Sequence, residues 1–154
     1  MEKESPLDNI DVQILSILSE DGRASNTHIA RQLGISESAV RKRIKRMREE
    51  QLVSIIGYGD PTKLGFPLTA MIRFNVLPNA LIATANALTA MKETHYVALT
   101  TGSSDIIVRC AFKSDQGLLD FLSGPVAQLE GVVGMETHLL LHIMKRTFDL
   151  FSHP

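Results

Sequence analysis

The chain has 154 residues, 44% of them hydrophobic, which is enough for one ordinary domain or two small ones with a real core. Its 16 basic and 17 acidic residues give a net charge of −1, which argues against an extended polyanion-binding surface, so any nucleic-acid site should be local. The single cysteine excludes an internal disulfide, no charged-then-apolar leader is present and no apolar run approaches the roughly 20 residues of a membrane span, so we expect a cytosolic protein.

The residue composition changes near residue 60. The segment Asp60 to Pro67 contains two prolines and Gly65, which disfavour continuous regular structure. We therefore predict an N-terminal domain over residues 1–60, a linker over about 61–67 and a larger C-terminal domain over 68–154.

Three helices are predicted in the N-terminal domain, and each is preceded by a side chain that can cap it: Asp8, Ser25 and Ser36. The first ends at Asp21–Gly22, and Gly34 ends the second. Two short helices joined by a tight turn with a glycine match a helix-turn-helix. Beyond the third helix, alternation from Val53 to Tyr58 predicts a strand in the position of a wing.

The third helix has six cations within residues 41–48. At about 100° per residue, Val40, Ile44 and Met47 form an apolar stripe, and cations occupy the opposite face. Like charges stand four residues apart in this helix, which costs stability unless phosphates neutralise them. A solvated helix face is the alternative, although such faces usually mix both signs of charge. In the context of a helix-turn-helix, the pattern favours DNA binding.

The expected docking geometry divides the work among these side chains, because the first turns of a recognition helix meet base edges and flanking cations hold phosphates. The candidates for base readout are Ser36, Ser38, Arg41 and Lys42. The candidates for backbone contact are Lys45, Arg46 and Arg48. Arg43 borders the apolar stripe, so it is a candidate for either a DNA contact or a structural role.

The C-terminal domain is predicted to run strand, helix, strand, strand, helix, strand. Alternating apolar residues place the strands at 69–76, 96–101, 106–112 and 132–144, and helical spacing places the helices at 81–91 and 118–129. Pro125 should kink the second helix and Gly131 should end it. This βαββαβ order predicts an α+β, ferredoxin-like domain with both helices on one face of an antiparallel sheet.

The last predicted strand contains three consecutive leucines, Leu139 to Leu141. Consecutive apolar residues place apolar groups on both faces of a strand, whereas a sheet with one solvated face should alternate. We therefore expect a second layer over the open face, formed by the sheet of a partner subunit or by the N-terminal domain folding back.

The turn between the second and third strands, Thr100 to Asp105, is small and polar. Such a turn suits a zwitterionic ligand, because Asp105 could face an ammonium group and the Gly102 and Ser103 amides a carboxylate. The alternative is an ordinary hairpin turn that uses glycine, serine and aspartate for backbone reasons.

Two histidines and the cysteine do not indicate chemistry. His138 and His142 share a strand face, but four residues separate them by roughly 13 Å, too far to bind one metal within a chain. A metal shared across a symmetric interface between subunits is the alternative. Cys110 alternates with apolar residues and is expected in the core. No Ser/His/Asp set, phosphate loop or CxxC motif appears, so the sequence gives no support for an enzyme or a cofactor.

Five segments together resemble the Lrp/AsnC (feast/famine) transcriptional regulators over nearly the whole chain. They are LDNIDVQILSILSEDGRAS from Leu7, IARQLGISESAVRKRIKRM from Ile29, DPTKLGF from Asp60, TGSSD from Thr101 and LEGVVGMET from Leu129. Each is modestly specific, but all five in this order and spacing are strongly specific.

The resemblance implies a winged helix-turn-helix that binds double-stranded DNA and a ferredoxin-like domain that pairs into dimers, often tetramers or octamers. It also implies an amino acid or related effector at a contact between dimers. By motif position, the effector residues are Thr101, Gly102, Ser103, Ser104 and Asp105, with Thr137 from a neighbouring subunit. Many members have a bulky or acidic residue where Ser103 and Ser104 stand, which points to a different effector or to none.

Overall fold

The computed structural model describes residues 6–57 and 59–145. The chain divides into two compact units, an N-terminal one that includes residues 6–57 and a C-terminal one, Gly59–Met144. This division lies close to the domain boundary predicted near residue 60. Within these residues, no helix has the length and apolar character needed to cross a membrane.

Three helices form the N-terminal unit: α1 (Asn9–Glu20), α2 (Asn26–Leu33) and α3 (Glu37–Glu49). Each predicted cap is confirmed. Asp8 accepts a hydrogen bond from the Asp11 amide, Ser25 from the His28 amide and Ser36 from the Ala39 amide. These bonds satisfy amides that a helix leaves unpaired at its start. Gly34 ends α2 with a φ of 67°, a left-handed conformation that glycine adopts without strain.

The helices bury a shared apolar core. Ile14 of α1, Ile29 of α2, and Val40 and Met47 of α3 are all completely buried. Ile44 packs against the same cluster and is partly buried. The predicted apolar stripe of α3 is therefore confirmed, and it holds α3 with its opposite face in solvent.

The strand predicted from Val53 to Tyr58 is not formed over residues 53–57, and Tyr58 lies outside the described residues. The chain leaves α3 through Gln51, whose φ is 56°, and the Leu52 amide bonds back to the Met47 carbonyl. Residues 53–57 then pair with no other strand of the described chain. An alternating pattern produces a strand only where a neighbour supplies backbone hydrogen bonds, so the pattern alone was insufficient.

Four antiparallel strands and two helices form the C-terminal unit. The strands are β1 (Leu68–Val76), β2 (Thr94–Leu99), β3 (Ile106–Phe112) and β4 (Val132–Leu139), in the order β2-β3-β1-β4. The helices are α4 (Leu81–Thr89) and α5 (Asp115–Phe121). The order of elements confirms the predicted βαββαβ arrangement, with β3 matching its predicted range and β2 shifted two residues towards the N-terminus.

The second helix is shorter than the sequence pattern predicts. After α5 the chain widens into a π-helical turn, Leu122–Val126, that contains Pro125. Proline has no amide hydrogen and collides with the preceding helical turn, which is why the regular helix stops. Gly131 then adopts a φ of 84° immediately before β4, close to the predicted stop.

The last strand is also shorter than predicted, because it ends at Leu139 rather than near Met144. Its partner β1 begins at Leu68, and after Ala70 pairs with Leu139 only one further bond forms, from the Leu140 amide to the Thr69 carbonyl. Leu141 is 96% exposed beyond the strand. The three leucines therefore do not cover both faces of a strand, and a second layer over the open face stays a prediction that no longer depends on them.

The two faces of the sheet differ in character. The core lies on one face of the sheet and is buried. It contains alternate side chains of β1 from Ala70 onward, alternate side chains of β3 from Ile106 onward, and Leu88 of α4. The other face of β1 presents Met71, Arg73 and Asn75, all partly buried. This second face is mixed in polarity, and Arg73 makes an ion pair there with Glu136 of β4 at 3.4 Å.

Candidate DNA interface and effector turn

The side chains of α3 and its cap fall into two groups by exposure. The exposed group contains Ser36, Ser38, Arg41, Lys42, Lys45 and Arg48. Arg43 and Arg46 form the second group and are partly buried. Six of the eight residues predicted to contact DNA thus lie in solvent on one helix, and two lie against the rest of the unit.

Arg43 and Arg46 both pair with a buried carboxylate of α1. Asp11 is completely buried, and its Oδ1 accepts a hydrogen bond from Arg43 Nη1 at 2.8 Å. Its Oδ2 pairs with Arg46 Nη2. Arg43 Nη1 also lies 2.6 Å from Asp8 Oδ2. Arg46 was predicted on the outward face, and its side chain is 41% exposed. Its pairing with Asp11 was not predicted, because a helical wheel does not show a partner 35 residues away.

The pairing of Asp8 with Arg43 shifts the pKa of both groups. The pKa of Asp8 lies below its usual value, first because the Asp11 amide donates to its carboxylate and then because Arg43 does. The same two aspartates raise the pKa of Arg43. Asp8 and Asp11 also form a reciprocal capping box, since each side chain accepts the other's amide hydrogen.

Carboxylates also stand beside two of the exposed cations. Glu37 accepts from Arg41 Nη2 at 2.8 Å and from Thr27 Oγ1 of α2 at 2.9 Å. Lys45 Nζ lies 3.6 Å from Glu49. The repulsion that we expected between like charges four residues apart is therefore relieved within the chain. Among the described residues, only Lys42 and Arg48 of the six cations have no ion pair.

A groove of about 590 Å³ runs along the exposed flank of α3. It is lined by Asn26, Arg41, Ile44, Lys45, Arg48 and Glu49. Asn26 is the first residue of α2, so the groove joins the start of one helix to the cationic flank of the next. Cations and a helix N-terminus are the groups that bind phosphate oxygens.

The serines at the start of α3 are already hydrogen-bonded. Ser36 Oγ accepts from the Ala39 amide at 3.2 Å and lies 3.0 Å from Ser38 Oγ. Ser36 therefore has a structural role as a cap. Its contact with bases stays a prediction, as does that of Ser38.

The predicted effector turn is fixed at its base and open at its tip. Asp105 Oδ2 accepts from the Val76 amide at 2.8 Å, and Asn75 Nδ2 donates to the Ser103 carbonyl at 2.8 Å. Ser104 is nearly buried, and its carbonyl accepts from Thr100 Oγ1 at 2.7 Å. One oxygen of Asp105 is thus used within the chain, which is the structural role considered for this turn.

The tip consists of Thr101, Gly102 and Ser103, which are all exposed. Gly102 has a φ of 107°, which favours glycine at this position. Within the described chain, the amides of Gly102 and Ser103 donate to no other residue. Two free amides on an exposed tip can receive a carboxylate or another acceptor.

Thr137 does not meet this turn within one chain. It lies in β4 opposite Ile72 of β1, and β1 separates β4 from β3. The geometry is compatible with its predicted contribution from a neighbouring subunit, and that role remains a prediction.

Among the remaining side chains, Cys110 lies in the core as predicted, whereas only one of the two histidines lies in the last strand. Cys110 is completely buried in the core, and its burial, with a smaller effect of Glu93, raises the pKa of the thiol to about 12. His138 lies in β4 and contacts Glu136, whereas His142 follows the strand. In the part of the chain that the structure describes, no three His, Cys, Asp or Glu residues are placed to share a metal ion.

Two family models match the chain, the AsnC-type helix-turn-helix domain over residues 7–48 and the Lrp/AsnC ligand binding domain over residues 69–150. The chain belongs to the Lrp/AsnC family. It is 35% identical over 140 residues to an uncharacterised helix-turn-helix transcriptional regulator of Pyrococcus furiosus, covering 90% of this chain and 95% of that one. It is 32% identical over 142 residues to the regulator LrpA of Pyrococcus horikoshii, covering 90% and 99%.

Solved structures have the same fold. Escherichia coli AsnC superimposes with a TM-score of 0.87 at 20% identity, covering 94% of this chain and 99% of that one. A Neisseria meningitidis transcriptional regulator solved with L-Met gives 0.86 at 23% identity, covering 94% and 96%. This Lrp/AsnC protein is therefore a helix-turn-helix, DNA-binding transcriptional regulator whose C-terminal unit is a ligand-binding domain of the family.

Some functional partners in this Lrp/AsnC chain were missed from the sequence. The capping role of Asp8 was predicted, but its pairing with Arg43 was not, and neither was the burial of Asp11. Asp11 sits three residues from a capping aspartate, which signals a capping box. No local pattern indicates that Asn75 supports the turn, because the two segments lie 28 residues apart.

Proposed function

We propose that this regulator senses an amino acid or related small molecule at the turn Thr101 to Asp105. The observation that supports the proposal is the exposed tip with two free amides, supported from below by Asp105 and Asn75. The carboxylate of an amino acid can accept from such amides. The ligand-binding family model and the L-Met complex of the Neisseria protein agree with this class of ligand.

We further propose that the protein acts as a dimer or a larger assembly, with the open face of its sheet covered by a second copy. Met71 on this face is only partly buried in the single chain, and Tyr96 at the neighbouring edge is 56% exposed. A two-fold dimer would present paired α3 helices about one turn of DNA apart. Thr137 pairs with the core residue Ile72, so its side chain does not lie on this open face, and its contribution to the turn of another subunit stays a prediction.

On DNA, Lys42 and Arg41 are assigned to base readout and Lys45 and Arg48 to phosphates. Lys42 has no ion pair among the described residues, and the flank with Arg48 lines the groove described above. Ser36 and Ser38 stand at the start of the helix, where base edges are met. An effector shifts this binding only by its different affinity for two states of the assembly.

A thermal-shift screen of the L-amino acids on the full chain tests the sensor. Binding to the folded state alone raises the midpoint, and a hit should also change the size of the assembly in sedimentation. Ser103→Tyr fills the tip without removing the bonds of Asp105 or Asn75, so it should abolish the shift. Gln128→Tyr, at an exposed position elsewhere, is the matched control. No stabilisation by any amino acid, or an undiminished shift in Ser103→Tyr, would reject the assignment.

A further inference from the structure

The six cations of α3 are not equivalent, and Asp11 is what separates them. Arg41, Lys45 and Arg48 recur at helical spacing on the flank that lines the groove. Arg43 and Arg46 lie roughly 160° away around the helix, at about 100° per residue. On that second flank, both guanidinium groups meet the same buried carboxylate of α1.

The ion pairs on the two flanks differ in how readily a phosphate could replace them. Glu37 and Glu49 are 44% and 65% exposed, so water can solvate their carboxylates when Arg41 or Lys45 turns to DNA. Asp11 is 0% exposed. If Arg43 and Arg46 left it, the carboxylate would remain buried with only the Asp8 amide as a partner, which is strongly unfavourable.

We propose that Asp11 is a positioning residue that withholds Arg43 and Arg46 from DNA and confines phosphate contact to the flank of α3 that carries Lys45 and Arg48. The proposal deepens the assignment of the DNA-binding surface. It implies that α3 neutralises fewer phosphates than its six cations would suggest. It also fixes the roll of α3, because two bonds from α1 hold one side of the helix.

Lys45→Gln and Arg46→Gln form a matched pair for the test. Each removes one positive charge from neighbouring positions, so long-range attraction to DNA falls equally, and the glutamine side chain of the Arg46→Gln variant still offers Asp11 a donor. Affinity for competitor DNA of random sequence should be measured by fluorescence anisotropy from 50 to 200 mM salt. The slope of log K against log salt falls by about 0.9 for every phosphate that the protein no longer neutralises.

Lys45→Gln should flatten the slope by about 0.9 for each copy in the complex, equivalent to about a 3.5-fold change in affinity ratio across this salt range. Arg46→Gln should leave the slope unchanged and lower the thermal midpoint. Equal flattening by both variants would overturn the proposal while leaving DNA binding intact. An unchanged slope in Lys45→Gln would also overturn it, because the proposed phosphate flank would then be wrong.

For Asp11→Asn we expect stronger binding to random DNA, whereas the loss of an ordinary structural residue would weaken binding. The substitution keeps the size of the side chain but removes the carboxylate that pairs with Arg46, while Asp8 still pairs with Arg43. The release of Arg46 should make the salt slope steeper and raise the affinity for random DNA at low salt. The ratio of operator to random-sequence affinity should fall. A flatter slope in the folded variant would contradict the proposal. If circular dichroism shows that this variant is unfolded, the comparison of Lys45→Gln with Arg46→Gln tests the proposal instead.

Discussion

Asp105 holds the end of a neighbouring strand, because its Oδ2 accepts a hydrogen bond from the Val76 amide at 2.8 Å. Asp105 directly precedes β3, and Val76 is the last residue of β1. The bond replaces a ladder partner where the two strands stop pairing at Phe74 and Ile106. The proposed effector turn is thereby fixed to the central strand of the sheet.

Removing this carboxylate should destabilise the C-terminal unit. Asp105→Ala leaves the partly buried Val76 amide without its acceptor, which should cost about 1–3 kcal/mol of unfolding free energy in urea titrations. Asp105→Asn keeps an acceptor and should cost less. Ser103→Ala in the same turn removes no side-chain bond, so a change within about 0.5 kcal/mol is expected. Equal losses in all three variants would show that the bond contributes little.

The docking of α3 depends on Met47, which is completely buried between the helices. Met47→Ala should reduce the unfolding free energy by about 2–5 kcal/mol, because it removes buried apolar atoms and leaves a cavity. DNA affinity should fall with the folded fraction. Met144→Ala is the control, since Met144 is 87% exposed and its change should stay within about 0.5 kcal/mol. If Met47→Ala did not lower the unfolding free energy, α3 would be held by other contacts.

Gly131 combines a left-handed backbone with a close neighbour. Its φ is 84°, and a Cβ added there would collide with the Cβ of Ala80. Gly131→Ala should therefore destabilise the C-terminal unit by at least about 2 kcal/mol, of which about 1–2 is the backbone cost. Gly124 has an open surrounding, so Gly124→Ala should be neutral or slightly stabilising. Thermal and urea unfolding compare the two, and similar behaviour would contradict the steric account.

The lowered pKa of Asp8 predicts a specific acid sensitivity. Its folded pKa is below its unfolded value, near 3.8, so its stabilising effect is present above that value and is lost as the pH falls through the folded pKa. Asp8→Asn can still cap α1 but cannot pair ionically with Arg43. The variant should have a lower urea midpoint than the natural chain at pH 7, and the difference should shrink below about pH 4. A difference that stays constant with pH would assign the effect to something other than ionisation.

Local rules predicted most of the fold. The caps Asp8, Ser25 and Ser36 and the stop at Gly34 depend on residues within one helical turn, and the structure has each of them. The strand predicted after Val53 and the end of β4 depend on distant partners, and both predictions failed. Strand formation is decided by pairing, which the pattern of a single segment does not specify.

The candidate sites divide in the same way. The exposed cationic flank of α3 follows from helical periodicity, but the pairing of Arg46 with Asp11 joins residues 35 positions apart. The polarity of the turn at Thr101 to Asp105 is visible in the sequence, whereas its attachment to Asn75 and Val76 is not. The charge and polarity of both sites could be predicted from the sequence. The sequence did not show which of their charged and polar groups already bind other residues of the chain.

The central position of β1 has a consequence for how the protein is made on the ribosome. The helices of the N-terminal unit are complete by Glu49, so they can form while the rest of the chain is still being synthesised. β1 must wait for β4, whose pairing begins with Val76 and Val132, far apart in the chain. Such distant pairing is slow, because the intervening loop must close first. A nascent chain would therefore present its DNA-binding helices before it has a complete sheet with which to sense or assemble.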